Sequence, residues 1–275
     1  MSAKWRALQH RHRYTYSAVV FPQPFVDSLA DQFSSHPGFY AELQELTSLN
    51  STYSQVNHVK RVASSFGDVL SSAPDEQSLS KAARLYLEIM FFENSTPLHR
   101  TLVSALVKAR NHQGLICRCF RALCEEYGGS QGKGKRFCVS RAALSIMGMP
   151  KLGYLMGVVE DCAVVVARDI VYGLSSVVLE TSGWARPSPI VMEQCQEALS
   201  CLYYLLQKFP SKFDIDEKGV MEMIVHVVLS ILKLSSFSRD CFVAAGVSFC
   251  AALQVFLSAD ELGLFIIEDK DVVAG

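Results

Sequence analysis

Apolar residues along this chain recur every three or four positions rather than every second one. Val220, Met223, Ile224, Val227, Val228 and Ile231 keep that spacing, and so do Leu199, Leu202, Tyr203, Leu206 and Phe209. Such spacing puts each set on one face of a helix. The pattern predicts helices near 22–34, 38–49, 54–73, 77–93, 97–111, 113–127, 137–147, 154–181, 189–209, 217–234, 238–257 and 259–267. The Val-rich run from Val158 to Val178 has strand propensity, but its length without a turn signal argues for helix.

Punctuation agrees with the periodicity. Thr96-Pro97 and Ser188-Pro189 each offer an N-cap followed by proline at the first helical position, where a missing N–H costs nothing. Pro210 ends the helix that carries Leu199 to Phe209, and Ser258 with Glu261 has capping-box spacing before a short last helix. Two loops stand out: the Gly-rich, basic stretch Gly128 to Arg136, and the turn-rich stretch Ser182 to Pro189.

Consecutive helices joined by short turns bury their apolar faces against the next pair. The expected fold class is therefore all-α, an armadillo/HEAT-like helical-repeat solenoid, with an irregular helical bundle as the alternative. A basic segment over 1–21 precedes a helical array over 22–275.

Composition narrows this further. Half of the 275 residues are hydrophobic and 19% are charged, which is ample for a large core. The net charge of -1 gives no global field for nucleic acid, so any such contact must be local. Nine cysteines, an odd number lying mostly in apolar helical patterns, read as small buried hydrophobes in a reducing compartment, hence a cytoplasmic protein. The first residues lack a secretory apolar run. They are rich in Arg and poor in acids like a transit peptide, but His10, Tyr14 and Tyr16 break a clean amphipathic face. Cys241 to Ala259 is uncharged for about a bilayer's thickness. Its Gly, Ser and Gln residues and balanced flanks favour burial inside a helical protein, with no membrane partner.

The candidate chemistry is sparse. Gly129, Gly134 and Lys135 match a phosphate-binding loop in spacing, but Arg136 stands where Ser or Thr would hold magnesium, and a helical pattern precedes the loop instead of a strand. From Lys108 to Arg141 eight basic residues face only Glu125 and Glu126, a local excess that suits either phosphate contact or an ordinary solvated face. Cys117 and Cys119 would point about 200° apart on a helix, and no paired knuckle accompanies them, so no metal is expected. The seven histidines are dispersed, and His226, inside an apolar helix, reads as a core residue. No nucleophile elbow or metalloprotease pattern occurs, and no catalytic or cofactor-binding residue is assigned.

The opening MSAKWRALQHRHRYTYSAVVFP resembles the N-terminus of plant proteins related to the thyroid adenoma-associated protein, over about the first 25 residues. The resemblance implies a HEAT/armadillo-like fold and a non-catalytic partner of an FtsJ-like tRNA methyltransferase. That enzyme adds a ribose 2′-O-methyl group at position 32 of the tRNA anticodon loop, with S-adenosylmethionine bound to the enzyme subunit. Members are several times longer than this chain and carry an RRSAGLP-type motif that is absent here, so the chain reads as an N-terminal piece. The partners expected are the methyltransferase and tRNA, and the candidate contacts are Lys4, Arg6, Arg11, Arg13, Lys133, Lys135 and Arg136. The competing expectations are a protein-binding adaptor without an RNA role and a small nucleotide-using enzyme.

Overall fold

The computed structural model describes Lys60, Ala63, Ser64, Phe66 and Leu70 and residues 75–92, 96–128, 136–181, 186–213, 218–234 and 236–258. These residues are helical or in turns, and no strand occurs among them. The helices are α1 (Glu76–Phe92), α2 (Thr96–Ala105), α3 (Gln113–Tyr127), α4 (Cys138–Met147), α5 (Gly153–Asp161), α6 (Ala163–Thr181), α7 (Pro189–Lys208), α8 (Lys218–Lys233) and α9 (Arg239–Ser258). Short 3₁₀ segments occupy Leu106–His112, Pro150–Leu152 and Pro210–Phe213. The helices expected over 22–34, 38–49 and 259–267 lie outside the described residues.

Local signals account for several ends. The Ser188 hydroxyl accepts from the Val191 N–H at 3.3 Å, with Pro189 at the first position of α7. One orphan donor of the helix start is thereby satisfied. Pro210 forbids continuation and opens a 3₁₀ turn instead. The single helix expected over 154–181 is two, with Cys162 between them. Cys162 still donates to Val158 and accepts from Val166, both at 2.9 Å, so the break changes local geometry without losing backbone bonds. The helix expected over 97–111 tightens to 3₁₀ after Ala105, where the Tyr154 hydroxyl donates to the Leu106 carbonyl at 3.0 Å.

The chain divides into two compact units, Met1–Leu123 with Ser145–Leu155, and Cys124–Leu144 with Met156–Gly275. In the first unit, Tyr86 is fully buried and stacks on Phe66 with ring centroids 3.7 Å apart. Its hydroxyl donates to the Leu102 carbonyl at 2.8 Å, so the phenol is buried without an orphan group. Phe91 meets Phe120 edge-on at 5.4 Å, which ties α1 to α3.

The second unit has a regular plan. On α9, Cys241 donates to the Met192 carbonyl of α7, Ser248 to the Leu199 carbonyl, and Gln254 accepts from Gln207. The partners advance together, at separations of 49, 49 and 47 residues, so α7 and α9 run parallel. Arg141 on α4 meets Glu197 of α7 in the same sense as Leu144 meets Cys201, so α4 also runs parallel to α7. Ser140 meets Asp169 and Phe137 meets Gly173, in descending order, so α6 runs antiparallel to α4. With α6 packed on α7 and α8, and α8 on α9, two rows emerge. One holds α4, α7 and α9; the other holds α6 and α8.

Burial follows the periodicity. On α8, Val220, Ile224, Val227, Val228 and Ile231 are buried. His226 is exposed, contrary to its expected place in the core. It stands about 200° around the helix from Ile224 and from Val228, which is the solvent side. The uncharged run on α9 is buried on one face only, since Val243 is 60% exposed and Val247 45%. No single helix among the described residues is long and apolar enough to cross a membrane; only the bent pair Cys138–Met147 with Pro150–Asp161 passes on length and composition.

Candidate functional site

The two ends of the Gly-rich basic loop are both seated on α6. At its start the Gly128 N–H donates to the Cys124 carbonyl at 2.7 Å. A Cβ on Gly128 would lie 2.5 Å from that carbonyl and 2.5 Å from Val165 of α6, so only glycine makes this exit. At its end Phe137 has a φ of 64°, an uncommon conformation for a bulky residue. Burial holds it there: Phe137 is 2% exposed and its ring lies over Gly173 of α6.

Arg136, beside it, is tied to the same helix. Its guanidinium donates to Ser176 Oγ at 3.0 Å and to both carboxylate oxygens of Glu180, one of them at 3.3 Å. Ser176 in turn donates to Glu180 at 3.2 Å, which closes a triangle. The Arg136 hydrogen bond holds the Glu180 carboxyl below the usual carboxylate range. Arg136 is thus already paired with an acid on the protein surface.

The loop does not follow a strand. The segment that leads into it is α3, a helix, where a phosphate-binding loop of that type follows a strand. Lys4, Arg6, Arg11, Arg13, Lys133 and Lys135 lie outside the described residues. Of the other basic residues in this region, Lys108, Arg110, Arg118 and Arg121 are exposed. Arg118 lies 3.9 Å from Glu76. Arg141 is not on the surface at all: it is 8% exposed and its Nε donates to Glu197 at 3.3 Å.

Sequence reasoning missed the polar centre at the start of α4. Asp169 is buried on α6, and its carboxylate accepts from the Ser140 N–H at 3.0 Å. Ser140 belongs to the first turn of α4, whose N–H groups have no partner within the helix. Asp169 therefore caps α4 from a neighbouring helix and places a negative charge at its positive end. Desolvation outweighs this help and pushes the carboxyl from the usual 3.8 up to about 6. Ser140 Oγ completes the arrangement by donating to the Phe137 carbonyl at 3.1 Å.

Cysteines line the same region. Burial raises the Cys124, Cys138 and Cys201 thiols well above their ordinary range, and the Asp169 charge adds to each rise. Raised thiols are poor nucleophiles and poor ligands. Seven of the nine cysteines are buried, Cys117 is half-buried and Cys250 is exposed. Cys117 and Cys119 turn to different partners, the Tyr154 and Ser80 carbonyls. Among the described residues no group of three His, Cys, Asp or Glu side chains is placed to hold a metal ion.

No protein-family model, curated protein or solved structure matches this chain.

What the described geometry offers is a rigid helical frame that pins a basic loop by both ends. In that frame Asp169 caps α4, and the buried thiols pack among the helices.

Proposed function

We propose that the chain is a non-catalytic helical-repeat scaffold that supports ribose 2′-O-methylation of the tRNA anticodon loop by an FtsJ-like methyltransferase in the cytosol. The methyl donor, S-adenosylmethionine, belongs to the enzyme subunit. The reading rests on the resemblance of the first 25 or so residues and on one structural observation. That observation is the parallel stacking of α9 on α7 at a displacement of 47 to 49 residues. That displacement lies just above the roughly 40–47-residue period of HEAT and armadillo arrays, while α4 and α7 are offset by 56 residues, so what supports the reading is the parallel stacking and not a fixed period.

In this reading Lys4, Arg6, Arg11, Arg13, Lys133, Lys135 and Arg136 meet phosphate or the enzyme. Contacts to phosphate are blind to sequence and weaken steeply with salt. The test is to purify the chain with the methyltransferase and tRNA, then replace Lys133, Lys135 and Arg136 with Ala. Weaker tRNA binding at low salt, with the complex intact, supports the loop's role; unchanged affinity removes the loop from it. Failure of the chain to bind the methyltransferase defeats the scaffold reading itself.

A second reading, an adaptor that binds proteins and not RNA, draws on the pairing of Arg136 with Glu180 and of Arg141 with Glu197. These pairs leave fewer basic groups for phosphate. In that case the chain retains its partner while tRNA affinity is indifferent to all seven basic residues.

A further inference from the structure

Two stretches of the first unit, 96–123 and 145–155, contain no Asp or Glu. Their lysines and arginines are Arg100, Lys108, Arg110, Arg118, Arg121 and Lys151, and all are exposed. The 3₁₀ segment Leu106–His112 organises part of this charge. At seven residues it is long for its type. Side chains three apart eclipse in such a helix, and Leu106 and Ala109 form its buried row. Lys108 with Asn111, and Arg110 with Gln113, fall on the other two rows, and all four are exposed. Upstream on α2, Arg100 and Ser104 are exposed at four-residue spacing from Lys108 and extend its ridge.

Lys151 comes alongside from the Pro150–Leu152 turn. Tyr154, three residues on, donates to the Leu106 carbonyl at 3.0 Å, and its own carbonyl accepts from Cys117 Sγ at 3.6 Å. The Arg110 charge acts on the same phenol and offsets part of the rise that burial causes. The chemistry of this face selects its partner. Among the described residues, the exposed large hydrophobic side chains all lie in the second unit. The face therefore has neither the apolar centre of a protein interface nor side chains that enter a bilayer. Nucleic-acid interfaces are polar and positive instead.

We propose that this face grips the sugar–phosphate backbone of RNA. Arg100, Lys108, Arg110 and Lys151 meet phosphates, and the Asn111 and Gln113 amides meet ribose hydroxyls. The choice of RNA rests on the reading above, but the site is separate from it, since none of the seven basic candidates belongs to this face.

The whole chain is titrated into a fluorescein-labelled RNA hairpin between about 50 and 200 mM salt. Lys108→Ala/Arg110→Ala/Lys151→Ala should bind about tenfold more weakly, and the slope of log affinity against log salt should shrink by about 2–3. Lys208→Ala/Lys233→Ala/Arg239→Ala removes three exposed charges from the second unit and should change neither quantity. Equal losses in the two variants overturn the proposal, because charge anywhere then suffices. Undiminished binding by the first variant overturns this site alone; no binding by the parent defeats the RNA reading as well. Tighter binding to poly-glutamate or to phosphatidylserine vesicles than to the hairpin, lost in the first variant, assigns the face to an acidic protein or a membrane and also overturns it. A second measurement uses the unsubstituted chain and so is independent of how the variants fold. Lysines are acetylated with N-hydroxysuccinimidyl acetate and followed by peptide mass spectrometry. The hairpin should slow Lys108 and Lys151 several-fold and leave Lys208 and Lys233 unchanged; protection of all four alike, or of none, overturns the proposal.

Discussion

The ring of Phe137 occupies the space that any side chain on residue 173 would need. A Cβ added to Gly173 would lie 2.3 Å from Phe137 Cε1 and 2.9 Å from Cζ. Gly173 is in mid-helix, where alanine is normally preferred by about 0.5–1 kcal/mol. The sign reverses here. Gly173→Ala is expected to destabilise the second unit by about 1–3 kcal/mol through overpacking. Phe137→Leu costs stability by itself but should make Gly173→Ala less harmful, and a double-mutant cycle by urea denaturation measures that coupling.

Asp169 gives a pH dependence of known sign. Its folded value of about 6 exceeds the unfolded 3.8, so between those values the native state binds more protons. Its contribution to stability is full below pH 3.8 and falls as pH rises to about 6. A carboxamide in its place cannot ionise. Asp169→Asn should gain on the parent by about 2–3 kcal/mol between pH 4 and pH 7, read from unfolding curves at a series of pH values. A constant difference across that range means that Asp169 does not titrate in the fold.

Glu197 faces a guanidinium that has almost no access to water. Glu197→Ala is expected to cost about 1–3 kcal/mol, because buried Arg141 loses one carboxylate partner while the Asp169 charge stays near. Replacing both residues with apolar ones should cost less than Glu197→Ala alone, as measured by thermal unfolding.

Glu180 masks Arg136 at the surface. In the proposed complex, Glu180→Gln releases one positive charge beside the loop, and the dependence of log affinity for tRNA on log salt should steepen by about 1. A protein with no RNA role shows no such change.

Much of the helical plan could be read from the chain alone. The spacing of Val220 to Ile231 placed a buried face on α8, and Ser188-Pro189 marked the start of α7 within one residue. His226, read as core from its apolar surroundings, is exposed although the adjacent Val227 is buried. The centre at the start of α4 was not legible, for a physical reason. Asp169 caps a helix that begins 31 residues earlier, and a cap supplied by tertiary contact leaves no local pattern. Gly173 did leave a trace, as an isolated glycine in a helical run, but its partner Phe137 could only be found in three dimensions. Arg136 and Arg141 were both counted as surface charge, since spacing along the chain carries no information about Glu180 and Glu197.

The way the basic loop is anchored has a practical consequence for rebuilding the protein. Val165 and Gly173, which receive its two ends, are eight residues apart on one helix, a rigid strut of about 12 Å. The gap to be bridged is therefore set by α6 and not by the loop. Each doubling of a loop's length costs only about 0.6 kcal/mol in closure entropy. If Gly128 and Arg136-Phe137 are kept, the seven residues between them become a socket for foreign peptides, which would be displayed without disturbing the helices beneath.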